Sequence, residues 1–99
     1  MKTLSEIQEK LSAVKEKLKR DYKVVSLELF GSYIRNEQTE TSDLDILVVF
    51  DENNYPGYFE FINLENYLVQ LLNIKVDLVP KESIKPFLKK YILNDTLPI

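Results

Sequence analysis

Apolar residues recur at two different periods along this chain, and these periods predict its helices and strands. Near the N-terminus they return every three or four residues, the spacing of one face of an amphipathic helix: Leu4, Ile7, Leu11, Val14 and Leu18. Thr3 and Glu6 have the spacing of a capping box. We therefore expect one helix that begins beside Thr3 and runs to the basic residues near Arg20, where cations suit the helix dipole.

Three shorter segments have the composition of β-strands, at residues 24–30, 44–50 and 74–79. In the first of them, Val25, Leu27 and Leu29 are predicted to share one face. Gly31 ends this strand, and a short helix is predicted to begin at Ser32. A second long helix is expected at 58–72 and a final helical segment near 84–93. The order of elements favours one α+β domain that spans residues 1–99.

The composition of the chain restricts the chemistry that it can carry out. It contains no histidine and no cysteine, which removes the usual general base, thiolate metal sites and disulfides. Any metal must be held by oxygen atoms, which Mg²⁺ prefers. The net charge of −3 argues against a nucleic-acid partner. No apolar run is long enough to span a membrane and no signal-peptide core is present, so we expect a cytoplasmic protein.

Alternation along the strands places three carboxylates away from the predicted core. Asp43 and Asp45 fall on the face of the second strand opposite its apolar residues, and Asp77 does the same in the third. If the two strands are neighbours, the three carboxylates converge, repel one another and raise one another's pKa values. A divalent cation removes that cost, and two such cations can bridge the oxygens of a phosphoryl or nucleotidyl transfer. In a chain without histidine, Asp77 is then the candidate base.

The turn after the first strand has the residue types of a phosphate site. Gly31 allows a ligand to approach the backbone closely, and Ser32 offers a hydroxyl beside free N–H groups. Arg35 either reaches a phosphate or fixes an acidic residue of its own loop, such as Glu37 or Asp43. A nucleoside triphosphate with Mg²⁺ fits these parts.

The stretch GSYIRNEQTETSDLD at 31–45, followed by VDLV at 76–79, resembles the minimal nucleotidyltransferases of the DNA polymerase β superfamily. The family signature is Gly-Ser, ten residues, Asp-x-Asp, and a third acidic residue on a later strand. The resemblance covers nearly the whole chain and implies a small palm-like domain, with a short mixed sheet and helices packed on one face. Many relatives carry Gly after the motif arginine, where this chain has Asn36, a residue that tolerates unusual backbone angles.

The resemblance also implies a function. Such chains are commonly the antitoxin of a toxin–antitoxin pair and transfer AMP from ATP, with Mg²⁺, to a tyrosine of a HEPN-domain ribonuclease toxin. By this analogy Gly31 and Ser32 bind phosphate, with Arg35 as a further nucleotide contact. Asp43, Asp45 and Asp77 form the catalytic and metal-binding triad. The expected assembly is a hetero-oligomer with the toxin.

Two other functions remain as alternatives. The chain is either an antitoxin that neutralises by binding alone, or a nucleotidyltransferase that acts on a small molecule or a nucleic-acid end. Among the remaining residues, Glu28 is interpreted as solvated or ion-paired and Lys75 as a surface lysine. Phe59 and Tyr67 fall outside the main stripe of their helix, and are expected either to pack under the loop 51–57 or to contact a partner.

Overall fold

The computed structural model describes residues 3–99. The helices are α1 (Leu4–Ala13), α2 (Lys15–Tyr22), α3 (Tyr58–Leu72) and α4 (Pro86–Leu93), and the strands are β1 (Val24–Phe30), β2 (Leu44–Phe50), β3 (Val76–Pro80) and β4 (Leu97–Pro98). No helix within residues 3–99 combines the length and the apolar character needed to cross a membrane.

The four strands form one mixed sheet in the order β3-β2-β1-β4. β1 is antiparallel to β2 and to β4, whereas β2 and β3 are parallel. Helices α1, α2 and α3 contact one another, and their buried leucines and Ile7 form a single core with the apolar face of the sheet. The α+β class, the mixed sheet and a helical layer packed on one face are therefore as predicted.

The N-terminal helix is interrupted, and the prediction of one continuous helix is wrong at Val14. Thr3 caps α1, since its hydroxyl accepts a hydrogen bond from the Glu6 N–H at 3.2 Å. At Val14 the backbone leaves helical angles (φ −109°, ψ 10°), and its N–H donates to the Leu11 carbonyl, one residue short of the α-helical partner. β-Branched residues are weak helix formers, so a kink at this position costs little.

A β-bulge reverses the predicted facing of one residue in β1. Val24 pairs with Phe50 but Ser26 pairs with Val49, so Val25 is the extra residue of the bulge. Val24, Leu27 and Leu29 are buried, whereas Val25 is 62% exposed. The prediction that Val25 shares one face with Leu27 and Leu29 is therefore wrong, because simple alternation takes no account of a bulge.

Because Leu27 is buried and Val25 is exposed, truncating these two side chains of β1 should change the stability by different amounts. Leu27→Ala removes a side chain that is 4% exposed and should lower the free energy of unfolding by about 2–4 kcal/mol. Val25→Ala should change it by less than about 0.5 kcal/mol, because the valine already contacts solvent. Urea unfolding of both variants measures the difference, and equal losses would contradict the bulge.

The face of the sheet opposite the helices is open at only one end. A 3₁₀ turn, Lys81–Ser83, follows β3 and contacts β2. Lys81 Nζ reaches Glu28 Oε1 of β1 at 3.2 Å, so the chain crosses this second face. Leu47 and Ile84 are buried outside the main core, at 1% and 8% exposure. The expectation that this face is left uncovered therefore holds near the aspartates and fails further along β2.

The C-terminal elements differ from the predicted bounds. β3 begins at Val76 rather than at residue 74, because Asn73 takes a left-handed conformation (φ 55°) that ends α3 and redirects the chain. α4 begins at Pro86 rather than at residue 84, since proline suits the first helical position and disfavours a helix before it. The pairing of β4 with β1 was not predicted.

Of the two predicted positions for the aromatic residues of α3, packing under the loop 51–57 is not found for either ring. Tyr67 stacks on Tyr22 of α2 with ring centroids 5.2 Å apart, and Lys17 Nζ lies 5.2 Å from its ring. Phe59 is 79% exposed. Tyr55 of this loop contacts Phe50 edge-on, with centroids 5.3 Å apart, and is 51% exposed.

Candidate active site

The three predicted carboxylates come from two adjacent parallel strands. Asp45 of β2 and Asp77 of β3 are register partners, so their side chains leave the sheet on the same face. Asp43 lies just before β2, where the Leu44 N–H donates to the Lys75 carbonyl at 2.8 Å and ties the two strand entrances together. The predicted adjacency of the strands thus brings the aspartates to one end of the sheet.

The electrostatics of Asp45 show how closely the acidic groups approach. Partial burial, followed by the charges of Asp77 and Asp43, raises the pKa of Asp45 from 3.8 to about 6. The Asp45 and Asp77 carboxyl groups lie within hydrogen-bonding range and can share a proton, whereas the charge of Arg35 acts in the opposite direction. At neutral pH the site therefore holds negative charge at a cost in free energy.

The turn after β1 lies directly against this pair. Gly31 has φ +85°, and a Cβ built on it would stand 2.0 Å from Asp45 Oδ2. Phe30 pairs with Asp45 across the β1–β2 ladder, which fixes this approach. The glycine was predicted to admit a ligand; its first role in the structure is to admit the Asp45 carboxylate, a contact that sequence spacing does not reveal.

The segment after Gly31 is a series of turns, and the predicted short helix is not formed. The N–H groups of Ile34 and Arg35 both donate to the Gly31 carbonyl, at 3.1 and 3.2 Å, and Glu37 N–H donates to the Ser32 carbonyl at 2.9 Å. Among residues 3–99, the Ser32 and Tyr33 N–H groups have no backbone acceptor. These two donors beside a glycine in a left-handed conformation form the kind of concavity that binds anions.

Arg35 takes the second of its two predicted roles in this structure. Its Nε pairs with Glu37 Oε1, and the side chain is about half exposed. Asn36 has φ 58°, the left-handed conformation that Gly adopts easily and Asn tolerates. Asn36 therefore holds the backbone of the turn in a conformation that glycine adopts easily.

Glu28 and Lys81 are neighbours of the site that the sequence reasoning did not connect. Glu28 pairs in register with Leu47, two residues from Asp45, and so belongs to the same face of the sheet. Glu28 forms an ion pair with Lys81, which was one of the two predictions for it. Lys75 is exposed, as predicted. The sequence shows a lysine directly after the third strand. It indicates a partner for Glu28 only when the chain is known to cross the second face of the sheet.

The donor set at this end of the sheet fits a hard divalent cation. Its side chains offer oxygen atoms only, and the shared-proton contact between Asp45 and Asp77 marks a position where a cation would replace a proton and relieve repulsion. Within residues 3–99 no three acidic, His or Cys side chains already stand as a finished metal site. Carboxylate rotation on a fixed backbone would therefore be part of binding.

The raised pKa of Asp45 makes stability depend on pH. Its stabilising contribution is fully present below the unfolded pKa of 3.8 and is lost as the pH rises through about 6. In EDTA we expect the free energy of unfolding of the wild type, relative to Asp45→Asn, to fall by about 1–2 kcal/mol between pH 4 and pH 7. Urea unfolding of both proteins across this range is the measurement, and parallel pH curves would disprove the coupling.

Similarity to known proteins identifies the class. The family described as the nucleotidyltransferase domain matches residues 11–99, and the chain belongs to this family. A Methanocaldococcus jannaschii protein named as a candidate protein adenylyltransferase is 56% identical over 98 residues, which cover 98% of both chains. The protein adenylyltransferase MntA of Thermococcus cleftensis is 44% identical over 97 residues, covering 98% of this chain and 96% of its own.

Solved structures share the fold. A structure described as a candidate minimal nucleotidyltransferase superposes with a TM-score of 0.82 and 31% identity, covering 99% of this chain and 97% of that one. A toxin–antitoxin structure with AMP-PNP has a TM-score of 0.67 and 28% identity, covering 87% and 69%. A tri-AMPylated Shewanella oneidensis HEPN toxin in complex with its MNT antitoxin gives 0.63 and 26%, covering 93% and 70%.

Proposed function

We propose that this chain is a Mg²⁺-dependent adenylyltransferase that transfers AMP from ATP to a tyrosine hydroxyl of a HEPN-domain toxin, and so acts as its antitoxin. The observation that carries the proposal is the Asp45–Asp77 pair facing the Gly31 turn. Asp45 lies in close contact with the Gly31 turn, and the free N–H groups of this turn suit a phosphate. The acidic residues and the anion-binding turn are therefore adjacent. The names of the relatives support the adenylyl group, and the toxin–antitoxin structures support both the nucleotide and the partner.

Each residue of the site then has a chemical role, within one domain that spans residues 1–99. The Ser32 hydroxyl and the N–H groups of Ser32 and Tyr33 hold the outer phosphates of ATP. Asp43, Asp45 and Asp77 would hold Mg²⁺, which would supply positive charge to stabilise the phosphates during the transfer. Arg35 can exchange Glu37 for a phosphate oxygen, since both partners of this ion pair are exposed.

The transfer itself is an in-line displacement. The tyrosine oxygen forms a bond to the α-phosphorus, and the bond from that phosphorus to the bridging oxygen of pyrophosphate breaks. The phenolic proton passes to Asp77, the more exposed member of the pair and the base available in a site without histidine. The backbone of Asp45, held beside Gly31 by the strand register, keeps its position during the transfer.

The test is label transfer from ATP labelled at the α-phosphate to the purified HEPN-domain toxin that the proposal requires as a partner. Wild type with Mg²⁺ should label a partner tyrosine, and Asp43→Asn should reduce the rate at least about 100-fold by removing a charged oxygen ligand. Glu40→Gln, an exposed carboxylate of the same loop, is the matched control and should keep the rate. An unlabelled partner, or equal rates for Asp43→Asn and wild type, would reject transferase activity and favour neutralisation by binding alone.

A further inference from the structure

Helix α4 lies outside the hydrophobic core of the molecule. None of its eight residues is buried, and Phe87, Leu88 and Tyr91 are exposed by 66%, 40% and 69%. Phe87 and Tyr91 are four residues apart and so lie on one face of the helix, with Leu88 beside them. A helix of two turns is not stable in water from its own hydrogen bonds. Its apolar face is therefore of the kind that a partner covers.

The charge on helix α4 itself has one sign, although Glu52 and Glu82 line the same pocket as Lys89. Lys85, Lys89 and Lys90 flank the apolar residues, and no carboxylate occurs from Lys85 to Leu93, although the whole chain carries a net charge of −3. Within residues 3–99 none of these three lysines lies at ion-pair distance from an acidic side chain. We call these six residues the α4 surface: Phe87, Leu88, Tyr91, Lys85, Lys89 and Lys90.

The α4 surface stands on the same face of the sheet as the aspartates. Lys89 lines a pocket of about 370 Å³ together with Val49, Tyr55 and Lys81. Val49 is four residues from Asp45 along β2 and therefore points to the same side, and Lys81 is tied to Glu28 on that side. A protein bound at the α4 surface would thus lie on the same side of the sheet as the site that an acceptor side chain has to enter.

We propose that the α4 surface is the docking site for the protein that carries the acceptor hydroxyl, and that this partner meets it with an apolar centre flanked by acidic residues. The inference rests on the proposed function, which requires a protein acceptor. Exposed aromatic rings with a charged rim match the anatomy of a protein–protein interface. The lysine rim requires a partner surface of opposite charge.

Two other occupants fit the α4 surface less well. In a symmetric contact between two copies, the same patch would face itself and place the three lysines of one copy against those of the other. A nucleic acid would be repelled by a chain with a net charge of −3 and would leave apolar residues such as Leu88 without a matching surface. An acidic protein surface satisfies both the rings and the lysines.

The experiment measures binding of the purified HEPN-domain partner by calorimetry without ATP. Phe87→Ser with Tyr91→Ser should raise the Kd at least about 30-fold, because central aromatic anchors carry most of an interface's affinity. Lys89→Glu with Lys90→Glu should raise it at least about 10-fold at low salt and flatten its salt dependence. Lys10→Glu with Lys19→Glu, an equal charge change on the helical layer, should leave it within about threefold. Circular dichroism and Mg-ATP binding of each isolated chain check that fold and nucleotide site are intact.

The outcomes separate this inference from the proposed function. If wild type labels the partner and both α4 variants bind and label it equally well, the docking inference is overturned while the transferase stands. If the partner binds through α4 but accepts no label, the α4 surface is a binding site for this partner, and both the adenylyl transfer and the acceptor role of the partner are rejected. Self-association of the chain alone, or binding of an RNA oligonucleotide, that the α4 variants abolish would assign the surface to that occupant and overturn the proposal.

Discussion

Gly31→Ala should leave a folded protein that has lost at least about 100-fold of its transfer rate. The new methyl group would stand 2.0 Å from Asp45 Oδ2, a distance that no pair of atoms tolerates, so the carboxylate must rotate out of its place. A displacement of about 1 Å in a positioned group can cost about 100-fold in rate. The φ of +85° adds roughly 1–2 kcal/mol of backbone strain, which a folded domain can absorb.

The chain supplies its own matched control for this experiment. Gly57, the other of its two glycines, has φ −78°, and a Cβ there would meet only Glu60 Oε1, at 3.7 Å. Its N–H donates to that carboxylate at 3.0 Å, a bond that alanine retains. Gly57→Ala should therefore keep the rate of AMP transfer and change stability by about 1 kcal/mol at most. If Gly31→Ala is as active as Gly57→Ala, the close contact with Asp45 has no catalytic role.

The longer helices and strands could be predicted because their alternation of apolar and polar residues extends over many positions and separates buried from exposed side chains. β1, β2 and α3 have the predicted bounds, and β2 presents Leu44, Ile46, Val48 and Phe50 to the core. The same alternation placed Asp45 and Asp77 on the other face, and the parallel pairing of β2 with β3 then made them neighbours. A carboxylate pair on adjacent strands is thus accessible to sequence reasoning when strand order follows from the family's fold.

The features that escaped prediction depend on geometry that a single residue controls. The bulge at Val25, the kink at Val14 and the left-handed Asn73 each shift a register or end an element without changing the apolar pattern around them. The pair β1–β4 involves two residues of β4, too few to carry a period. The crossing of the second face brings together Glu28 and Lys81, which are 53 positions apart in the sequence.

The geometry of one part of the site is determined by neighbouring residues in the sequence, and that of another part by the sheet. The Gly31 turn is set by hydrogen bonds within seven residues, and Asn36 maintains it by its own backbone preference. The sheet is responsible for the repulsion between Asp45 and Asp77, because the strand register holds the two residues side by side whether or not a cation is bound. A fixed backbone that keeps like charges together is pre-organised for a cation and destabilised without one.

Asp45→Asn should change stability and activity in opposite directions. In EDTA at pH 8 the variant should be about 1 kcal/mol more stable than wild type, because the amide removes repulsion from Asp77 and Asp43. Its transfer rate should fall about 1000-fold or more, since the central oxygen ligand of the proposed metal site loses its charge. Urea unfolding and the labelled-ATP assay measure the two effects on the same preparation.

Added Mg²⁺ provides the decisive comparison for Asp45→Asn. A ligand that binds only the folded state raises its stability by mass action, so Mg²⁺ should stabilise wild type and have little effect on the variant. Asp95→Asn, which removes an equal charge from an exposed position far along the chain from the site, should respond to Mg²⁺ as wild type does. A destabilised Asp45→Asn in EDTA would show that the carboxylate is held by favourable contacts rather than against repulsion. A variant that still gains stability from Mg²⁺ would show that the cation does not need the Asp45 carboxylate.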